Sequence, residues 1–283
     1  SSCRYKYTSA ISQDLQLMVI TDAHADIARL INAQTVFKKY NNITAGIFLG
    51  DYTGSNFTDD VTTFMSIMTT SGKPFLSVIG NHDVGNSKTV SISGSTAQVY
   101  SKFIQPLEST IAGTHNGKNY YYKDFGTYKI RVIALYEFDD PNDLSADTNY
   151  YKILRGMKVW SQTQINWLIA TLASVPSDYS VVIAVHQSID DSMTTIEGAF
   201  TKNTTIIGQQ NLMIGNPITD IVNAWINGST LTNSYSFSGD ASYLTPISVN
   251  ADFVSRGAGK FICYLGGHHH SDDATARSVH HSG

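Results

Sequence analysis

Leu15-Gln16-Leu17-Met18-Val19-Ile20-Thr21-Asp22-Ala23-His24 is the stretch whose reading decides the fold. Six mostly apolar residues, 15–20, have the length and β-branched content of a buried strand, and the run breaks at once into Asp22 and His24. The same event recurs twice. Ala45-Gly46-Ile47-Phe48-Leu49 runs into Gly50-Asp51, and Pro74-Phe75-Leu76-Ser77-Val78-Ile79 runs into Gly80-Asn81-His82-Asp83. Between these runs, residues 26–40 place Ile27, Leu30, Ile31 and Phe37 on one helical face, and residues 59–70 place Val61, Phe64, Met65 and Met68 at i, i+3, i+4 and i+7. Strand, helix, strand, helix, strand predicts parallel pairing through crossovers.

Further along, residues 120–124 and 129–136 read as a hairpin around Gly126-Thr127, so antiparallel structure enters there. Ser161-Gln162-Thr163-Gln164 has the form of a capping box, followed by Ile165, Leu168, Ile169 and Leu172 at helical spacing and a strand over 180–185. Ile218, Ile221, Val222 and Trp225 mark another helix, ended by Asn227-Gly228. Residues 261–265 make a last strand. Segments 84–118, 137–158 and 187–216 have no clear period and are expected to frame a substrate entrance. With no repeat, linker or composition break, the 283 residues are expected to form a single α/β domain.

Hydrophobic residues make up 42% of the chain, enough for a large core, while charged residues are 15% against roughly a quarter in an average soluble domain. A surface drawing its polarity from Ser, Thr, Asn, Gln and Tyr suits an extracellular or virion-associated protein. The net charge of −4 and the absence of a Lys/Arg cluster argue against a polymeric nucleic acid as partner. No apolar run reaches the roughly 18 residues of a membrane span. Cys3 and Cys263 lie far apart, and Cys263 in Phe261-Ile262-Cys263-Tyr264-Leu265 is expected as a buried free thiol. Trp160, Trp167 and Trp225 read as helix or core aromatics, Tyr120 to Tyr122 as a two-sided strand, and His115, His280 and His281 as exposed.

The strand ends carry the chemistry. In a parallel α/β sheet the carboxyl ends of the strands face one crevice, so Asp22, His24, Asp51, Asn81, His82 and Asp83 converge. Two later strands repeat the pattern: 181–185 runs into His186, and 261–265 into Gly266-Gly267-His268-His269-His270. Singly, each residue has an ordinary explanation, as a helix cap for Asp22 or Asp51, a turn for Asn81 or a satisfied core histidine for His186. Jointly these explanations fail, because five strands would have to aim Asp, Asn and His at one place for unrelated reasons. Carboxylates, imidazoles and an amide oxygen without thiolates suit Mn, Fe, Zn, Co or Ni. Seven candidate ligands, Asp22, His24, Asp51, Asn81, His186, His268 and His270, exceed the needs of one ion and predict two, about 3.5–4 Å apart.

In order and spacing, Asp22-x-His24, Gly50-Asp51, Gly80-Asn81-His82-Asp83, His186 and Gly267-His268-x-His270 resemble the signature of the calcineurin-like metallophosphoesterase superfamily, and the resemblance spans residues 15–270. It implies a four-layer α/β/β/α sandwich of mixed sheets, with one ion held by Asp22, His24, Asp51 and His270 and the other by Asp51, Asn81, His186 and His268. It further implies that a hydroxide bridging the ions attacks phosphorus in a phosphomonoester or phosphodiester, and that His82 contacts the phosphate and aids the leaving group while Asp83 orients its ring. His269 is expected at the surface. The family normally continues into further strands beyond this point, so truncation at the C-terminus is expected. The texture, including Tyr121-Tyr122-Lys123-Asp124-Phe125, is similar to that of phosphoesterases of gut bacteria and their phages. A reading of another class is a viral or cell-surface attachment module that keeps the fold with catalysis secondary or lost. The complete ligand set weighs against it.

Overall fold

The computed structural model describes residues 14–54, 60–84, 96–111, 117–139, 159–187, 189, 216–236 and 245–268. Most of the three aperiodic segments, with His115, His269, His270, His280 and His281, lies outside the described residues.

The opening β-α-β-α-β is present: β1 (Leu17–Ile20), α1 (Ile27–Lys39), β2 (Ala45–Leu49), α2 (Thr62–Thr69) and β3 (Phe75–Val78). The three strands form one parallel sheet in the order β1-β2-β3, with Leu17 opposite Ala45 and Gly46 opposite Phe75. Every residue of β2 and β3 is buried, as expected of a parallel sheet covered on both faces. Asp26 caps α1 by accepting from the Arg29 amide, and at the other end Lys73 Nζ donates to the carbonyls of Phe37 and Tyr40 at 2.7 and 2.8 Å. A cation there meets the negative end of the helix dipole. The expected apolar face of α1 needs correction. Leu30, Gln34 and Phe37 are the buried stripe, whereas Ile27 and Ile31 flank it and are 46% and 43% exposed.

Among the described residues β3 is an edge of its sheet, and side-chain hydroxyls take the place of a neighbouring strand. Phe75 N donates to Thr110 Oγ1 at 3.0 Å, and the buried Tyr121 hydroxyl both accepts from Ser77 N at 2.7 Å and donates to Ser77 O at 2.9 Å. Thr110 closes a run of irregular helical turns, Tyr100–Ile104 then Gln105–Thr110, in which Phe103, Ile104 and Leu107 are buried. Tyr121→Phe leaves both backbone groups of Ser77 buried without that partner and is expected to cost about 1–3 kcal/mol. Urea denaturation of the two proteins measures the difference, and an unchanged midpoint would contradict the edge-capping role.

The hairpin is formed by β4 (Tyr121–Phe125) and β5 (Ile130–Ala134), antiparallel, with Lys129 in the left-handed region at the turn. β5 pairs in parallel with β6 (Ser180–Ala184), and β6 with β9 (Lys260–Leu265). Alternation along this mixed sheet divides the interior in two. Val132, Ala134, Val182 and Ala184 join the core of the first sheet. Ile133, Leu135, Val181, Ile183 and Val185 join a second core with Leu168 and Leu172 of α3 (Gln162–Ala173) and Ile221 and Trp225 of α4 (Pro217–Asn227). A further antiparallel pair, β7 (Thr230–Tyr235) and β8 (Ile247–Asp252), adds Val249 and Ala251 to that core.

Half of the expected capping box on α3 is present. Ser161 Oγ accepts from Gln164 N, but the Gln164 amide turns inward and pairs with both N and O of Tyr136 at 2.9 and 2.8 Å, pinning the chain that leaves β5. Cys263 is a free thiol, half-buried rather than fully buried. Among the described residues no helix is long and apolar enough to cross a membrane.

Candidate metal centre

At the carboxyl end of the strands the backbone is bent into conformations that L residues rarely adopt. Asp22, His24, Ala25, Asp51 and His268 have φ of 52°, 45°, 62°, 62° and 77°, and among the described non-glycine residues only Lys129 joins them. Each such residue costs of order 1–3 kcal/mol and persists where surrounding contacts over-determine it. Those contacts are present: Asp22 N, His24 N and Ala25 N donate to the carbonyls of Gly50, Asp51 and Tyr52, so the loop after β1 continues to pair with the loop after β2. His268 N donates to Asp22 Oδ2 at 2.8 Å, which fastens the loop after β9 to the end of β1 across the two sheets.

Asp51 is the centre. Its side chain is fully buried, Oδ1 accepts from His82 N, and Oδ2 accepts no well-formed hydrogen bond. That oxygen faces nitrogen instead, with His186 Nε2 at 3.3 Å and His82 Nε2 at 3.9 Å. The fully buried His186 ring has Nδ1 2.7 Å from the Leu49 carbonyl, an acceptor only, so Nδ1 carries a hydrogen, and it is Nε2 whose lone pair faces the centre once the ring is deprotonated. Around Nε2 lie Asn81 Oδ1 at 3.0 Å and His268 Nδ1 at 3.2 Å. Asp51, His186 and His268 bring one ligand atom each within 4.8 Å of one another, and so do His24, Asp51 and His82. The His24 and His82 rings meet edge to face, 4.6 Å between centroids, and Asp22 Oδ1 lies 4.0 Å from His24 Nε2.

The structure thus brings together Asp22, His24, Asp51, Asn81, His82, His186 and His268, while His270 lies outside the described residues. The expected contact between Asp83 and the His82 ring is not made. Asp83 is buried with both oxygens on backbone amides, Oδ2 accepting from Asp51 N and Gly80 N and Oδ1 from Thr53 N, and the His82 ring turns Nδ1 to the Gly54 carbonyl. Asp83 thereby ties the loops after β2 and β3 together. Glu137, unnoticed in the sequence, lies behind the centre: it is fully buried and accepts from the amides of His186 and Gln187. Its signal was available, since it follows β5 as Asp22 follows β1.

Scanning against protein families matches residues 15–199 to the calcineurin-like phosphoesterases. The chain belongs to that family. A search of curated proteins finds no match. The matched segment holds Asp22 to Asp83 and His186, whereas His268 lies beyond it and joins the centre through the pairing of β6 with β9. The family is one of metal-dependent phosphoester hydrolysis, and the donor set of this chain fits a divalent cation: atoms of carboxylate, imidazole and amide crowd a buried site at 3.0–3.3 Å, with no well-formed hydrogen bond to Asp51 Oδ2.

The electrostatics of these side chains make a testable pattern. Burial pulls the His186 pKa down, but the Asp51 carboxylate outweighs it and raises the value to about 9. Burial, with Asp51 adding to it, also lifts Asp83 to about 7. His186 therefore contributes stability that is full below its unfolded value and lost as pH rises through about 9. Raised Asp83 contributes stability that is full below the ordinary carboxylate range and lost as pH rises through about 7. Metal-stripped protein is expected to melt at a lower temperature at pH 8.5 than at pH 6, and Mn(II), which binds the neutral ring, should offset the loss. Calorimetry at both pH values with and without Mn(II) measures this, and a stripped protein that melts higher at pH 8.5 would contradict it.

Proposed function

We propose that this chain hydrolyses a small phosphate ester, monoester or diester, at a two-ion centre in which Asp51 is the shared ligand. The observation that carries the reading is the buried Asp51, common to both triads of potential ligand atoms, whose Oδ2 accepts no well-formed hydrogen bond. Asp22, His24, Asp51 and His270 hold one ion in this reading, and Asp51, Asn81, His186 and His268 hold the other. Two divalent ions bound there neutralise phosphate charge and acidify a water. The protein's own part is to hold the donors ready: the Leu49 carbonyl fixes the His186 tautomer, and the left-handed turns at Asp22 and Asp51 aim both carboxylates inward. His82, 19% exposed at its side chain and with Nε2 toward Asp51, sits where it can give a proton to a leaving oxygen. A net charge of −4 without a basic cluster favours a compact phosphoester over a nucleic-acid polymer.

The test is hydrolysis of p-nitrophenyl phosphate and bis(p-nitrophenyl) phosphate by stripped and Mn-loaded protein. Activity that appears with Mn(II) and vanishes with chelator supports the reading, and activity indifferent to both would sink it. His82→Asn is expected to cut kcat about 10²–10⁴-fold with metal content unchanged. Loss of an ion in that variant would make His82 a ligand, as its grouping with His24 and Asp51 allows.

A further inference from the structure

We infer that Glu137 is a positioning residue for His186, supplying the backbone acceptor that its departing strand withdraws. The inference rests on the two-ion reading above. β6 is paired on both sides: Leu135 N donates to Ala184 O on the β5 side, and Val185 N to Leu265 O on the β9 side. Beyond this point the chain after β5 swings away to a new neighbour, with Val159 N donating to Glu137 O and Asp139 N to Val159 O. Gln164 holds Tyr136 at the bend. Among the described residues no strand runs beside the amides of His186 and Gln187, which lie inside the protein, where an unpaired N–H costs about 1–3 kcal/mol.

The Glu137 side chain takes the place of the strand. Its Oε2 accepts from His186 N at 2.7 Å and from Gln187 N at 2.6 Å, and the residue has no solvent exposure. His186 is then held at two points, the main chain by Glu137 and the ring by the Leu49 carbonyl through Nδ1. On the opposite side Gly267 N donates to His186 O at 2.7 Å, so the same amide plane carries the loop that brings in His268. With the main chain released, Nε2 would lose its register with Asn81 Oδ1 and His268 Nδ1, the two groups it lies nearest. The triad of His24, Asp51 and His82 takes no support from Glu137 and should be unmoved.

Titration of stripped protein with Co(II), read by visible absorption, tests the assignment with Glu137→Ala and Glu137→Gln. Wild type should show two binding events; one or none would refute the two-ion reading independently of the variants. Glu137→Ala should weaken one event about 10–100-fold, the usual effect of removing an outer-sphere partner, and leave the other in place. Glu137→Gln should restore the weakened event, because its carbonyl oxygen accepts the same two N–H groups. The inference is overturned if the Ala variant titrates as wild type, if both events weaken equally, or if Gln rescues nothing. Should Glu137→Ala fail to fold, Glu137→Asp, one methylene shorter, is expected to weaken the same single event, and a wild-type titration in that variant overturns the inference.

Discussion

Asp51→Asn is expected to abolish turnover while the protein stays folded. The fold tolerates the change because Asn keeps an oxygen for the His82 amide, and its new NH₂ can donate to His186 Nε2, now 3.3 Å away. Metal binding does not tolerate it. Asp51 is common to both triads, and the substitution turns one of its carboxylate oxygens into a donor and removes the buried negative charge that would offset two cations. Ion affinity should fall at both positions together, by more than the 10–100-fold typical of outer-sphere changes, and kcat by on the order of a thousandfold or more. Steady-state hydrolysis of a chromogenic diester, with circular dichroism as the folding control, measures the outcome. Full activity would mean that Asp51 is not a shared ligand.

Gly80→Ala should do comparable damage for a purely steric reason. A Cβ at Gly80 would sit 2.1 Å from Asp51 Oδ1 and 2.4 Å from Asp51 N, distances that no relaxation of a flexible tip can relieve. Asp83 holds the amides of Gly80 and Asp51 on one carboxylate oxygen, so neither loop can retreat without breaking that clamp. Overpacking of this kind costs about 1–3 kcal/mol and here displaces the central carboxylate as well. Both the urea midpoint and metal content should fall. Gly126→Ala is the control, since its Cβ would meet only the Tyr179 hydroxyl, at 3.3 Å, and should leave metal content intact. A Gly80→Ala protein with normal metal content would contradict the close approach of the two loops.

Much of the first half of the fold was legible because buried parallel strands write themselves as apolar runs and helices as 3.6-residue periods. α1 was misread in detail: hydropathy selected Ile27 and Ile31, while the buried stripe runs through Gln34, a polar residue that an apolar period passes over. The pair β7–β8 was missed although Ile247, Val249 and Ala251 alternate with Ser248, Asn250 and Asp252, a period-2 signal that a six-residue strand barely raises above noise. The irregular turns over 96–110 could not be read, because π and 3-10 geometry scrambles the helical period.

The convergence of the site residues was legible because Asp22, His24, Asp51, Asn81, His82, His186 and His268 each lie two to four positions past the end of a strand, and strand polarity then dictates where they gather. What Asp83 and Glu137 do was not legible. Both act as acceptors for backbone amides, and which amides lack a partner depends on where two strands splay apart and on left-handed turns at non-glycine residues, neither of which leaves a mark in composition. Asp83 was expected to orient the His82 ring, whereas its oxygens accept from the amides of Asp51, Gly80 and Thr53.

The central claim is a centre built for two divalent ions around Asp51, and the most direct test counts them. Elemental mass spectrometry on folded protein, purified without chelator and again after incubation with Mn(II), is predicted to find about two ions per chain, removable by chelator and absent from Asp51→Asn. No bound metal in either wild-type sample would contradict the claim.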